Sequence, residues 1–249
     1  MGHLTSRDAY KKENKLERID KIIASQGIYS RSDVKALISK KRVAVDGETV
    51  KSANIKVDPE KSVITIDGRE LTVKKNVYIM LNKPKGYVSA TEDRDHQTVL
   101  ELMPADFAGR DLFPAGRLDR DTTGLMIITD DGVLAHNILA PKKHVQKIYH
   151  VELDIPVTEE MARGFAEGVE LNDGVCKEAG LEITGEYTAK VTLKEGRYHQ
   201  IKRMFGCYGA KVVELHRLTM GNLHLPEDLP VGECRELTEE ELILLQQQV

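Results

Sequence analysis

GRLDRDTTGL, residues 116–125, sets Arg117, Asp119, Arg120 and Asp121 between FPA at 113–115 and the apolar run LMIIT at 125–129. Opposite charges in such a run often do no more than pair weakly on a surface turn. The flanks point elsewhere. LMIIT has the pattern of a buried strand, DDG at 130–132 ends it in a turn, and VLAHNIL at 133–139 starts a helix. The charged letters therefore fall on a loop at the edge of a rigid sheet, the usual place for functional residues.

The chain around this loop has 249 residues and 41% hydrophobic content, enough for one large or two smaller globular domains. It contains no uninterrupted apolar stretch of about eighteen residues, and MGHLTSRDAYKKENK carries no apolar signal core, so a cytoplasmic protein is expected. Cys176, Cys207 and Cys234 are odd in number and far apart, which fits neither a disulfide framework nor a metal cluster. The eight histidines show no ligand-type spacing, so no metal is expected.

A net charge of -4 argues against nucleic acid as a partner until it is divided along the chain. Residues 11–56 hold 12 Lys and Arg against 6 Asp and Glu, whereas residues 57–249 hold 23 against 33. That concentration of positive charge at one end is the footprint of a nucleic-acid-binding module. KKENK at 11–15 reads as a solvated tail. LERIDKIIASQG, at 16–27, spaces Leu16, Ile19, Ile22 and Ile23 as one helical stripe that stops at Gly27. Ser30 and Asp33 form a cap for a second helix with Val34, Leu37 and Ile38 inward. RVAVDGETV and SVITIDGREL then read as hairpins around Asp-Gly turns, and KKN at 74–76 as a linker.

The helix, helix, hairpin order over about residues 15–60, with Arg31, Lys35, Lys40, Lys41 and Arg42 projecting from the helices, resembles the S4-type RNA-binding domain. The alternative for each cation is an ordinary solvated helix face. Phosphate contacts of this kind supply affinity and salt dependence, not sequence choice.

The loop at 116–125 resembles the signature of pseudouridine synthases, matched here by Gly116, Arg117, Leu118, Asp119, Thr122, Gly124 and Leu125. KIYHVEL at 147–153 and EGRYHQIKRMF at 195–205 resemble that family's second and third motifs, in the same order. The resemblance implies a catalytic Asp119, a base-stacking Tyr149 and a basic partner at Lys202 where many relatives carry arginine. Leu215 falls where the family places an apolar wall of the base pocket, or is plain core. Arg117 contacts RNA or pairs with a neighbouring aspartate. Lys83 and Lys85 contact phosphate or are merely solvated; Arg203 is a further phosphate contact. His199 and Gln200 order the loop that holds Lys202, and Asp121 anchors its own turn.

Such a reaction breaks the bond from ribose C1′ to uracil N1 and rejoins the base through C5, so no redox group or activated donor is required. One carboxylate suffices, as nucleophile or charge stabiliser, whereas glycoside hydrolysis usually takes two. Whether Asp119 attacks C1′, adds to C6 or stabilises a glycal stays open.

The expected architecture is α+β. It consists of a small helical and β RNA-binding domain with its tail at 1–72, then a mixed, mainly antiparallel synthase domain at 73–249. The third motif most resembles members acting on small-subunit (16S) ribosomal RNA, which makes that RNA, or a small-subunit assembly intermediate, the expected partner. Large-subunit (23S) RNA, a non-catalytic ribosome-assembly factor and an RNA glycosidase are the rivals.

Overall fold

The structure is a computed structural model that describes residues 16–140 and 145–247; the tail reading at 11–15 lies outside them. Two compact units result. One joins the described part of residues 1–75 to residues 104–110, and the other takes the rest of the described chain from residue 76 on. No helix among the described residues is long and apolar enough to cross a membrane.

In the first unit the stripe of residues 16–27 forms only α1, Ile19–Ala24, because Glu17–Arg18 pairs antiparallel with Lys56–Val57 instead of continuing the helix. Leu16 is consequently exposed, while Ile19, Ile22 and Ile23 are buried. The second helix, α2 at Arg31–Ser39, starts at the expected cap. The Ser30 hydroxyl accepts from the Asp33 amide, and the Asp33 carboxylate accepts from the Ser30 amide. Lys41 turns left-handed at φ +57° and leads into β1, Val43–Val45.

β1 pairs with β2, Glu48–Thr49, and with β3, Ile64–Ile66, which in turn pairs with β4, Arg69–Glu70. Both Asp-Gly turns close these hairpins with positive φ at each central residue, the twist that tight hairpins favour. Val34, Leu37, Ile38, Val43, Ile64 and Ile66 fill the core with α1. Residues 104–110 join this unit through a glycine pair: a Cβ on Gly109 would lie 2.8 Å from the Cα of Gly27. No sequence period announces so close an approach of two backbones.

The second unit is built on a nine-stranded sheet. Its strands are β5 (Tyr78–Lys83), β6 (Thr123–Thr129), β7 (Lys147–Leu153), β8 (Gly180–Ile183), β9 (Thr188–Leu193), β10 (Val212–Met220) and β11 (Cys234–Glu236), with two-residue pieces at Phe113–Pro114 and Leu223–His224. Their order is β8-β9-β7-β10-β6-β5-β11, and every pairing is antiparallel except β10 with β6. Helices α3 (Gly132–Leu139), α4 (Glu159–Glu167), α5 (Gln200–Gly206) and α6 (Glu239–Gln246) complete the unit. One core cluster gathers Met80, Leu125 and Ile127 from the sheet with Leu134, Ile138 and Leu245 from α3 and α6.

The parallel junction is short, His216 with Thr123 and Arg217 with Gly124. A Cβ on Gly124 would lie 2.3 Å from the Arg217 carbonyl oxygen and 2.6 Å from its amide nitrogen, and φ there is +102°. Only glycine fits a position that is both crowded and left-handed. The loop carrying Asp119 runs straight into this junction.

Candidate active site

Two inward side chains shape the loop at 116–122. Lys83, the last residue of β5, is completely buried. Its ammonium donates to the carbonyls of Thr122 at 2.8 Å, Pro84 at 3.0 Å, Asp119 at 3.1 Å and Arg120 at 3.3 Å. The Ser89 hydroxyl donates to the Leu118 carbonyl at 2.8 Å and accepts from the Leu118 amide at 2.9 Å. Almost every peptide of the loop tip is thereby fixed, so the direction of the Asp119 side chain is set by the frame.

The phosphate-contact reading of Lys83 is therefore corrected: its cation faces peptide oxygens inside the protein. Burial pushes its pKa down to about 8 against the opposing pull of Asp121 and Asp119. A lysine ending the apolar run VYIMLN was the available signal. A cation at the end of a buried strand needs an internal partner.

Asp119 is partly exposed and faces helix α5. Lys202 Nζ lies 3.0 Å from Asp119 Oδ2, and His199 Nε2 lies 3.5 Å from Asp119 Oδ1. The sequence paired Asp119 with Lys202, and the structure brings them together. It also places Asp121 on the same ammonium, with Oδ1 at 2.5 Å from Nζ. Asp121 thus belongs to the charge network and does more than anchor its turn. Burial alone would lower the Lys202 pKa, but hydrogen bonds to Asp121 and Asp119 outweigh it and hold the ammonium above the usual lysine range. Asp121 is held below the carboxylate range, where burial opposes and the Lys202 hydrogen bond prevails.

A tetrahedral ammonium with three donors can serve two carboxylates at once, in directions that lie outside the plane to which a guanidinium confines its donors. Lysine in place of arginine is consistent with this shared geometry.

The segment leading into α5 is braced from outside. Gln200 is buried, accepts from the Arg197 amide at 3.0 Å and donates to Glu195 at 2.7 Å, the loop-ordering part expected of it. Arg197 donates to the Gly174 carbonyl at 2.8 Å. Arg203 forms an ion pair with Asp173 and donates to the Tyr198 carbonyl at 3.1 Å. Arg203, expected as a phosphate contact, thus has partners within the protein as well. Asp173 itself had no sequence signal, because it lies 30 residues away on a separate turn.

Tyr149 on β7 and Leu215 on β10 are both buried. In the β7–β10 ladder Tyr149 faces Arg217 and Val151 faces Leu215, and Arg217 is the residue beside Gly124. Tyr149 and Leu215 therefore lie within two strands of the strand that follows the Asp119 loop. Arg217, 2% exposed, donates from Nε to the Leu125 carbonyl at 2.7 Å and ties β10 to β6. Lys147, two residues before Tyr149, is also pushed down to about 8, by burial and then by Arg217.

Arg117 is exposed and makes no ion pair among the described residues. Lys85 pairs with Glu214 at 2.5 Å. In the first unit Arg42 forms a two-pronged pair with Asp67, so its charge is internally matched. Arg31, Lys35, Lys40 and Lys41 stand exposed.

Comparison with known proteins agrees in both units. Residues 77–206 match the profile of the RNA pseudouridylate synthase family, and residues 17–63 that of the S4 domain. The chain is 46% identical over 228 residues to the ribosomal small subunit pseudouridine synthase A of Escherichia coli (strain K12), covering 90% of this chain and 98% of that protein. It is 42% identical over 233 residues to the uncharacterized RNA pseudouridine synthase YtzG of Bacillus subtilis (strain 168), covering 92% and 98% respectively. A crystal structure of a pseudouridylate synthase superposes with a TM-score of 0.65 at 42% identity, covering 92% of this chain and 99% of that one.

Proposed function

The chain belongs to the RNA pseudouridylate synthase family, and from that membership we propose that it isomerises one uridine of small-subunit (16S) ribosomal RNA, with Asp119 as the catalytic carboxylate. The observation that carries the reading is the Asp119 side chain set between Lys202 and His199 on a loop whose carbonyls are gathered by Lys83. That the Escherichia coli relative is a ribosomal small subunit pseudouridine synthase supports the choice of RNA.

A uridine stacked in RNA is out of reach and must be extruded into the site. The Tyr149 ring and the Leu215 side chain form apolar surface for the extruded base. Lys202 lies 3.0 Å from Asp119, so the carboxylate keeps an ionic partner when the bound base excludes water. The carboxylate then acts on the ribose or the base while N1 separates from C1′. After the base turns, C5 bonds to C1′, the C5 proton is lost and N1 gains one. Residues 1–72 serve as the RNA-binding module and 73–249 as the synthase domain, with Arg31, Lys35, Lys40 and Lys41 as phosphate contacts. The partner is the rRNA itself or an assembling small subunit in the cytoplasm.

Mapping pseudouridine in ribosomal RNA from cells lacking the protein, complemented by wild type or by Asp119→Ala, tests this. Loss of one small-subunit pseudouridine that only wild type restores is the expected result. Loss from large-subunit RNA would move the substrate, and persistence of every pseudouridine would favour an assembly factor.

A further inference from the structure

The third motif contains a residue that the reaction as described leaves without a part. His199 precedes α5 with φ +48° and ψ +35°, one of four non-glycine residues with positive φ among the described residues. The other three stand at hairpin and helix-end turns in the first unit. A left-handed backbone costs a non-glycine residue of order 1 kcal/mol, and it survives where the surroundings enforce it.

Here the surroundings are specific. The imidazole stacks on the Tyr198 ring with centroids 3.9 Å apart and planes 18° from parallel, and Tyr198 is itself 73% exposed. The His199 carbonyl accepts from the Arg203 amide at 2.9 Å. Arg203 is in turn fastened to Asp173. Backbone and ring are both fixed, and the atom they aim is Nε2, at 3.5 Å from Asp119 Oδ1. Lys202 occupies the other oxygen of the same carboxylate.

We propose that His199 is a positioning residue that holds Oδ1 of Asp119, so that His199 and Lys202 together fix the carboxylate plane; this rests on the reading of Asp119 as the catalytic group. At 3.5 Å the contact is longer than a formed hydrogen bond. Contacts of this kind close when substrate expels water from the site. Asp121 and Lys202 are the other charged groups of the network: Lys202 is shared between Asp121 and the Oδ2 of Asp119, which leaves Oδ1 to His199. With Lys202 on one oxygen, His199 on the other completes the pair of contacts that sets the rotation of Asp119 about its last bond. The sequence reading gave it only the task of ordering the loop.

The test uses the full-length protein and small-subunit rRNA carrying tritium at uracil C5, whose release reports turnover. Asparagine tolerates the left-handed backbone but puts its amide nitrogen near the position of Nδ1, short of Asp119; glutamine reaches the position of Nε2. His199→Asn is expected to lower kcat about 10- to 100-fold, the worth of a hydrogen bond to a charged group, with KM and melting temperature unchanged. His199→Gln is expected to restore most of it. Wild-type kcat in His199→Asn, or a glutamine variant no better than asparagine, overturns the proposal. Release by wild type and by His199→Asn alike, but not by Asp119→Ala, would overturn the positioning role alone, whereas failure of wild type to release tritium would overturn the function on which that role rests.

Discussion

In the first unit Arg31, Lys35, Lys40 and Lys41 stand in solvent along and just beyond one helix, whereas in the second Lys83 is completely buried and spends its ammonium on four peptide carbonyls. The same residue type does opposite work. An exposed cation contributes little to stability and remains available to a partner's phosphates. A buried one cannot remain unsatisfied, so its donors become structural and their removal is costly. Between these extremes lie Arg42 and Lys202. The first is matched to Asp67 at the surface; the second is divided between Asp119 and Asp121 in a half-buried site.

If this contrast is right, the largest effects must come from the interior of the second unit. Gly124→Ala forces a methyl to 2.3 Å from the Arg217 carbonyl in a left-handed position, and a loss on the order of 4 kcal/mol is expected in denaturant melts. Near-native stability would mean that the β6–β10 junction can open, and the rigid frame behind Asp119 would be lost as an explanation.

Lys83→Met comes next, with a loss of about 3 kcal/mol from orphaned carbonyls and a drop in turnover larger than the change in RNA affinity. The reverse pattern, weakened RNA binding with intact stability, would revive the phosphate-contact reading. Its titration sharpens the point. Lys83 is pushed down to about 8 in the folded chain from an ordinary 10.5. The folded protein therefore loses this proton before the unfolded chain does, and stability should rise with pH across that window. Turnover should fall over the same range, as the loop loses a donor. Lys83→Met removes this residue's share of the stability gain, while Lys147, also near 8, keeps its own.

Asp121→Asn should have a middle-sized effect. The carboxylate is mostly exposed, so stability should change by less than about 1 kcal/mol. Lys202 loses its second anchor, and kcat should fall about three- to tenfold, a modest misalignment on the scale of catalytic positioning. An unchanged kcat would return Asp121 to the role of a turn residue.

The smallest effects belong to the first unit. Lys35→Gln should leave the fold and the saturated rate intact, weaken RNA binding a few-fold and reduce the slope of log affinity against log salt by about one. A change in base or site choice instead would mean that α2 reads sequence. Arg42→Gln, by contrast, breaks a solvent-exposed pair, and its melting temperature should stay close to that of wild type.

Local chemistry was legible wherever it is encoded by neighbours in the chain. The Ser30–Asp33 cap, the two Asp-Gly hairpins, the LMIIT strand and the helix after DDG all follow from periodicity and capping within a few residues. The pairing of Asp119 with Lys202 was legible through ordered motifs. The start of α1 was not, because Glu17–Arg18 takes a strand partner at Lys56–Val57 that no local pattern reveals.

The α+β class, the basic first module and the residue types of the site can thus be read from the chain alone, since they rest on period, composition and motif spacing. Tertiary structure alone decided what each charge does. Lys83 became a loop clamp, Arg203 an internal ion pair, Asp121 a second carboxylate on Lys202, and His199 a neighbour of Asp119. The physical reason is that a charge acts through its partners and its burial, and both are fixed by segments tens of residues apart that meet only in the folded sheet.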